Sequence, residues 1–267
     1  NRFDTNERAV YAQYSINNIK NTYIRLDLDY ANDYNNDSKR SININRPFYS
    51  VITKNAGGAF FENRLRTEQF PVLDTISLQN VSYDFQEYWY GRAFKINPKS
   101  NPERYFNNMV LALTYNQKVF GQMPAAVLDP TSYFSNEKNW IGMIGFSKQK
   151  FYQDKFVFNY NITEDIPYGE NIALIVGHQE KNSNSRLYTG LSVSFGRKYS
   201  FGYASGFAEW GSFYDAGLTE QTTFKLGLNY FSPLISWGNW RFRQFVKPTY
   251  VWGNNRDDSF KDRLNLL

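Results

Sequence analysis

The chain has 267 residues, no cysteine, one histidine and a net charge of +5; 42% of it is hydrophobic and 19% aromatic, yet the mean hydropathy is −0.60. The missing cysteine excludes disulfides, thiolate metal sites and cysteine nucleophiles, and the scattered lysines and arginines give no nucleic-acid footprint. No run approaches the roughly 18 apolar residues of a spanning helix; the longest are residues 109–113 and 172–176.

A chain both aromatic-rich and hydrophilic needs two separate surfaces. Its opening, NRFDTNERAV, lacks a basic segment followed by an apolar one, so any export signal is expected to lie outside this sequence. The ending, FKDRLNLL, shows no closing strand, and the whole of residues 1–267 reads as one domain, part of a longer protein.

Period-two alternation starts at residues 8–16 and is plainest at residues 22–30. There Ile24, Leu26, Leu28 and Tyr30 alternate with Arg25, Asp27 and Asp29, a strand with an oily and a charged face. Further strands are predicted at residues 40–45, 56–65, 81–94, 108–116, 140–150, 156–162, 171–179, 186–196, 199–210, 219–230 and 240–252. The total is about thirteen strands, most about 8 to 13 residues long, and no helix. Asn17 and Asn18 suit a two-residue turn, because Asn tolerates positive φ. Residues 152–155 and 164–169 read as further short connections, whereas 31–40, 95–106, 121–139 and 179–186 read as long polar loops.

In residues 222–230, Thr222, Phe224, Leu226, Leu228 and Tyr230 oppose Thr223, Lys225, Gly227 and Asn229. In residues 187–195, Leu187, Thr189, Leu191, Val193 and Phe195 oppose Tyr188, Gly190, Ser192 and Ser194. A soluble sandwich or lipocalin-like barrel also alternates. Three features favour lipid. The strands are long enough to span a bilayer, which takes about 9 to 11 tilted residues. Tyr30, Tyr115, Trp140, Tyr230, Trp240 and Trp252 sit at strand ends, where an amphipathic ring rests among headgroups. The polar side carries both signs of charge, which suits a wet lumen. The expected fold is all-β: a transmembrane antiparallel up-and-down barrel, present here as an incomplete portion of about 12–14 strands. Its lumen-lining candidates are Arg25, Asp27, Asp29, Lys225, Arg241, Arg243 and Lys247, the last three as a same-face row that either lines the lumen or docks an inward loop.

Little catalytic chemistry is available. His178 closes the alternating row Ile172, Leu174, Val176 and reads as an interfacial residue, since no GxSxG or comparable nucleophile motif accompanies it. Asp27 with Asp29 reads as a pairing ladder with Arg25, and Glu164 with Asp165 as turn chemistry beside Pro167. There is no calcium loop or zinc spacing, so no cofactor or metal is expected, and the protein is read as a non-enzyme.

The segment NINRPFYSVITKNAGGAFFENRL resembles the early strands of the BamA/TamA superfamily of outer-membrane assembly barrels, in a Bacteroidetes-type form. Pro47, Phe48, Tyr49 and Ser50 match the family's Pro-aromatic-aromatic-Ser/Thr turn, and Gly57 and Gly58 its Gly-bearing following strand. Thr53 and Lys54 stand where the family has Asp-Gly. Residues 159–177 and 186–196 are similar to later hairpins of the superfamily, and residues 241–267 to the strand leading into its inward loop. No Arg-Gly-aromatic lid motif and no periplasmic POTRA repeat falls within the sequence.

The resemblance implies insertion or translocation of outer-membrane proteins in the outer membrane of a Gram-negative bacterium. The implied partners are the bilayer, unfolded client proteins and accessory lipoproteins. The implied mechanism is a lateral seam offering unpaired backbone groups to an incoming strand, with residues 8–16 as the seam strand and its mate beyond Leu267. The other function weighed is a passive channel or substrate-specific porin with a charged lumen.

Overall fold

A computed structural model describes residues 3–4, 7–33, 37–50, 52–72, 75–96, 106–159 and 162–255. Thirteen of its strands form one antiparallel sheet. They are β1 (Val10–Ile16), β2 (Arg25–Asn32), β3 (Ser38–Arg46), β4 (Asn55–Val72), β5 (Thr75–Lys95), β6 (Phe106–Gln122) and β7 (Glu137–Lys155). They continue as β8 (Thr163–Lys181), β9 (Asn184–Tyr199), β10 (Gly202–Asp215), β11 (Leu218–Phe231), β12 (Phe245–Val246) and β13 (Thr249–Asn254). From β1 to β11 each strand lies beside its sequence neighbours, an up-and-down order; β12 and β13 both pair along β11. Two small hairpins stand apart, Phe3–Asp4 with Glu7–Arg8 and Ile235–Trp237 with Trp240–Phe242. The sheet is not closed: among the described residues β1 pairs only with β2, and β12 and β13 only with β11.

Tight turns set the register. Asn182 (φ 48°) and Ser183 (φ 65°) join β8 to β9, and Ala216 (φ 47°) and Gly217 (φ 82°) join β10 to β11. Both central residues are left-handed, so the turn follows the natural strand twist. The segment at 179–186 is therefore a tight hairpin and not the long loop expected from its polarity.

The structure corrects several other expectations. Asn17 and Asn18 do not form a two-residue turn; residues 17–24 make a longer connection with a single 3-10 turn, Ile19–Asn21. Asn18 Oδ1 accepts the Tyr23 amide there at 2.8 Å. Residues 152–155 and 164–169 are not turns but the ends of β7 and β8, and the bend falls between them. Residues 156–159 are accordingly no strand, and 160 and 161 of the strand expected at 156–162 lie outside the described residues. Phe156 has φ 59°, and the Glu164 carboxylate accepts the amides of Val157, Phe158 and Asn159 at 3.1, 2.8 and 3.4 Å. Those donors are withdrawn from any ladder. Residues 240–252 are not one strand but three pieces, interrupted after Phe242 and again at Lys247 and Pro248. Residues 97–105 and the terminal 256–267 lie outside the described residues.

Among the described residues, no second layer covers the sheet. Apart from Ala56, the buried apolar side chains among the described residues lie at its two ends. At one, Phe134 packs on Phe70 of β4 and Val81 of β5, with Phe120, Leu128 and Tyr133 around them. The connection from β6 to β7 is thereby folded onto the sheet, and Asp129 pins it by accepting the amides of Tyr133 and Phe134, each at 2.9 Å. At the other end Val157, Ile166 and Phe231 cluster with Tyr152 and Tyr203.

Candidate functional site

The pairing register sorts the side chains into two faces, because residues directly opposite on antiparallel strands point the same way. One row runs Leu28, Ile42 and Phe61 across β2, β3 and β4. Another runs Leu111, Ile144, Leu174, Leu191, Trp210, Phe224 and Trp252 across β6, β7, β8, β9, β10, β11 and β13. Most of these side chains are bare: Leu111 is 41% exposed and Leu174 50%. Together they form a continuous apolar band far larger than the surface patches of ordinary soluble monomers.

Aromatic rings edge this band. Phe61, Tyr88, Tyr115, Trp140 and His178 contact one another in sequence across β4 to β8, with ring centroids 5.4 to 6.5 Å apart. Just beyond the row the same face turns polar: Gln86 donates to Gln117 at 2.8 Å, and Lys138 and Glu180 are cross-strand neighbours. At the opposite edge Arg197 pairs with Glu170 at 3.3 Å, and Tyr199, Phe201 and Tyr230 form a second run of ring contacts. Along β8 the apolar stretch lies between Glu170 and Glu180. That interval is roughly 33 Å at about 3.3 Å per residue. A tilt of about 40° reduces it to about 25 Å, the apolar height of an outer-membrane barrel.

The other face is polar and more enclosed. Asp27 is 8% exposed, Glu68 5% and Gln179 8%. At Asp27 and Gln179, where no described layer lies above the sheet, this enclosure is what a wall curved toward its polar side gives. Every charge on this face that the structure buries is answered. Asp27 accepts Arg25 Nε at 2.8 Å, Ser15 Oγ at 2.6 Å and Asn43 Nδ2 at 3.4 Å. Lys39 pairs with Glu62, Arg66 with Glu68, Lys118 with Glu137 and Lys225 with Glu209. Arg186 joins Gln179, Glu220 and Gln221 and lies 4.5 Å over the Phe213 ring.

Glycines make room for rings on this concave side. Trp89 lies across Gly58, where a Cβ would come within 2.7 Å of the indole nitrogen and 2.8 Å of the Ile44 carbonyl oxygen.

The residues singled out from sequence separate as follows. Arg25, Asp27, Asp29 and Lys225 share the concave face, with Asp29 accepting Ser41 Oγ at 3.2 Å. Arg241, Arg243 and Lys247 do not form a row, since the strand expected there is broken. Arg241 belongs to the small Trp240–Phe242 hairpin, and Lys247 lies 6.0 Å from the Phe158 ring. Arg243 is nearly buried, ion-paired to Asp154 at 3.2 Å and stacked 5.1 Å over Phe231. Beside this pair, burial first and the Asp154 charge second push the Tyr152 phenol up to about 12, so it stays neutral.

Of the terminal aromatics, Tyr30, Tyr115 and Trp140 fall along one edge of the band and Tyr230 at the other, whereas Trp252 lies in the row of Leu174 and Trp240 in the hairpin beyond. His178 sits within the aromatic edge, 5.8 Å from the Trp140 ring and 3.1 Å from Ser185 Oγ. The Pro47, Phe48, Tyr49, Ser50 turn caps one end of β3 and β4. Tyr49 stacks on Tyr23 at 3.8 Å, and Ser50 and Thr53 bond through backbone and hydroxyls.

Sequence reading missed the inward-folded connection around Phe134. The pair Tyr133–Phe134, four and five residues after Asp129, was its one visible signal. The class that these features define is an open, antiparallel up-and-down β-sheet with one bare apolar face and one ion-paired polar face. No family model, no curated protein and no solved structure matches the chain.

Proposed function

We propose that this sheet is most of the wall of a transmembrane β-barrel in a bacterial outer membrane, and that the barrel inserts or translocates outer-membrane proteins. The observation that carries the membrane reading is the bare apolar band edged by contacting aromatic rings, on a sheet whose opposite face is charged and enclosed. Lipid is the one environment that rewards the first face while water fills the space beside the second.

The assembly reading rests on the resemblance at residues 43–65 to the BamA/TamA superfamily and on the geometry of β1. That strand has seven residues against 14 to 21 in β4–β11. Its outer edge pairs with no other described strand. An edge of this kind can template an incoming strand in the membrane.

The test is disulfide trapping, for which the chain's own lack of cysteine is convenient. With the protein in liposomes, a cysteine replacing Gln13 on β1 should trap a cysteine in the terminal strand of an unfolded barrel client. One replacing Ile175 in β8 should not. Equal trapping at both positions, or none at either, removes the assembly role.

A second reading, a passive channel, is favoured by the ion-paired concave wall around Asp27, Glu62 and Glu209. A steady solute-selective conductance in planar bilayers, with no client trapping, would select it.

A further inference from the structure

Strands β4 and β5 outrun their neighbours. β3 stays paired with β4 only as far as Leu65, and β6 with β5 only from Ser82. Past those points residues 66–72 and 75–81 continue as a two-stranded hairpin, paired from Arg66 with Val81 to Val72 with Thr75. One face of this projection is covered by the β6–β7 connection through Phe134. The other shows Ile76, 64% exposed, and Leu78, 61% exposed. Among the described residues, the side of residues 75–81 away from β4 meets no strand, and no backbone hydrogen bond from a loop reaches it.

Edges are normally blunted by charge, proline or a bulge. The segment Thr-Ile-Ser-Leu-Gln-Asn-Val carries no charged residue and no proline. Its pairing with β4 runs without a register shift, so no bulge turns it away either. Backbone amides and carbonyls spaced for a ladder are answered only by another extended backbone, and Ile76 and Leu78 favour apolar side chains opposite them.

We propose that the outer edge of residues 75–81 is a strand-addition site for an extended, uncharged segment of a different protein, bound in water outside the bilayer. The aqueous placement rests on the membrane reading above. Leu78 lies ten positions from Tyr88 in the aromatic edge, roughly 33 Å along the strand at about 3.3 Å per residue. A second copy of this chain is disfavoured by symmetry. The two-fold axis of an antiparallel self-pairing lies across the strands. It would point two barrels in opposite directions, which one membrane forbids.

The probe is a lysine-capped peptide of four Thr-Val repeats, fluorescein-labelled, added to the protein in detergent micelles and in liposomes. The expected result is saturable binding with slowed hydrogen exchange at residues 75–81, and at least a tenfold weaker affinity for Ile76→Lys and Leu78→Lys. Those side chains are exposed, and heat-modifiable migration on gels checks that each variant remains folded. Binding with no protection at residues 75–81, or binding that both lysine variants retain, overturns the proposal. Dimerisation through this edge, seen as a doubled protein mass that the variants abolish, also overturns it in favour of self-pairing. If the protein proves soluble without detergent yet still binds the peptide at this edge, the membrane reading falls and the strand-addition site stands.

Discussion

Asp27 shows how one residue can be legible in type and not in context. Alternation with Leu26 and Leu28 places its carboxylate on the polar face, but its three partners come from β1, β2 and β3 and require the register. Removing a nearly buried acceptor leaves Arg25, Ser15 and Asn43 with unmade bonds. Asp27→Ala is therefore expected to lower the urea midpoint of the folded protein, with Asp27→Asn recovering part of the loss. Glu164 makes a different prediction. Its carboxyl is held below the usual range chiefly by the Phe158 amide, aided by the Asn159 side chain. A lowered folded-state value means that its contribution is present above the unfolded value. That contribution fades as pH falls through the folded one. Protection of the amides of residues 157–159 against hydrogen exchange, relative to the intrinsic rate at each pH, should fall on acidification, and Glu164→Gln should abolish that pH dependence. A protection factor at these amides that stays unchanged in the native protein from neutral to acid pH would contradict this role for Glu164.

At the scale of elements, the period-two pattern revealed the faces wherever one side is apolar, as in β8, β9 and β11, and it failed where that contrast fades. Residues 66–80 hold Arg, Glu, Gln and Pro with only scattered apolar groups, so nothing in the pattern announced that β4 and β5 run on past the band. Residues 156–162 alternate Phe156, Phe158, Tyr160 and Ile162 convincingly, yet the Glu164 carboxylate captures the amides of residues 157–159 and withdraws them from a ladder. Gly58 had a reason that no local pattern contains: Trp89 comes from the next strand. Gly58→Val is expected to cost about 1–3 kcal/mol through overpacking, since the Ile44 carbonyl cannot move without shifting β3. Circular dichroism melts of the detergent-folded variant would check it. Leu174 and Ser192 are a sharper pair, on adjacent strands but opposite faces. Leu174→Lys should cost about 2–4 kcal/mol for folding into bilayers, as for a cation at the membrane midplane. Ser192→Lys should cost far less. An exposed leucine on a water-bathed sheet would instead tolerate lysine within about 0.5 kcal/mol.

For the whole molecule, composition alone demanded two surfaces, and the single-layer sheet supplies them without a conventional core. What sequence could not reveal is how the ends are finished: the Phe134 connection folded over Phe70 and Val81, and Arg243 anchoring its segment to Asp154. Both join residues remote in the chain, and neither leaves a periodic trace. The account as a whole depends on acyl chains contacting the Leu174 side of the wall. A fluorophore attached to a single cysteine at position 174, and separately at 192, in the protein reconstituted in liposomes measures this directly. Brominated acyl chains should quench the label at 174 and aqueous iodide the label at 192, each with little effect on the other. Iodide quenching at 174 equal to that at 192, with no effect of brominated lipid, would contradict it.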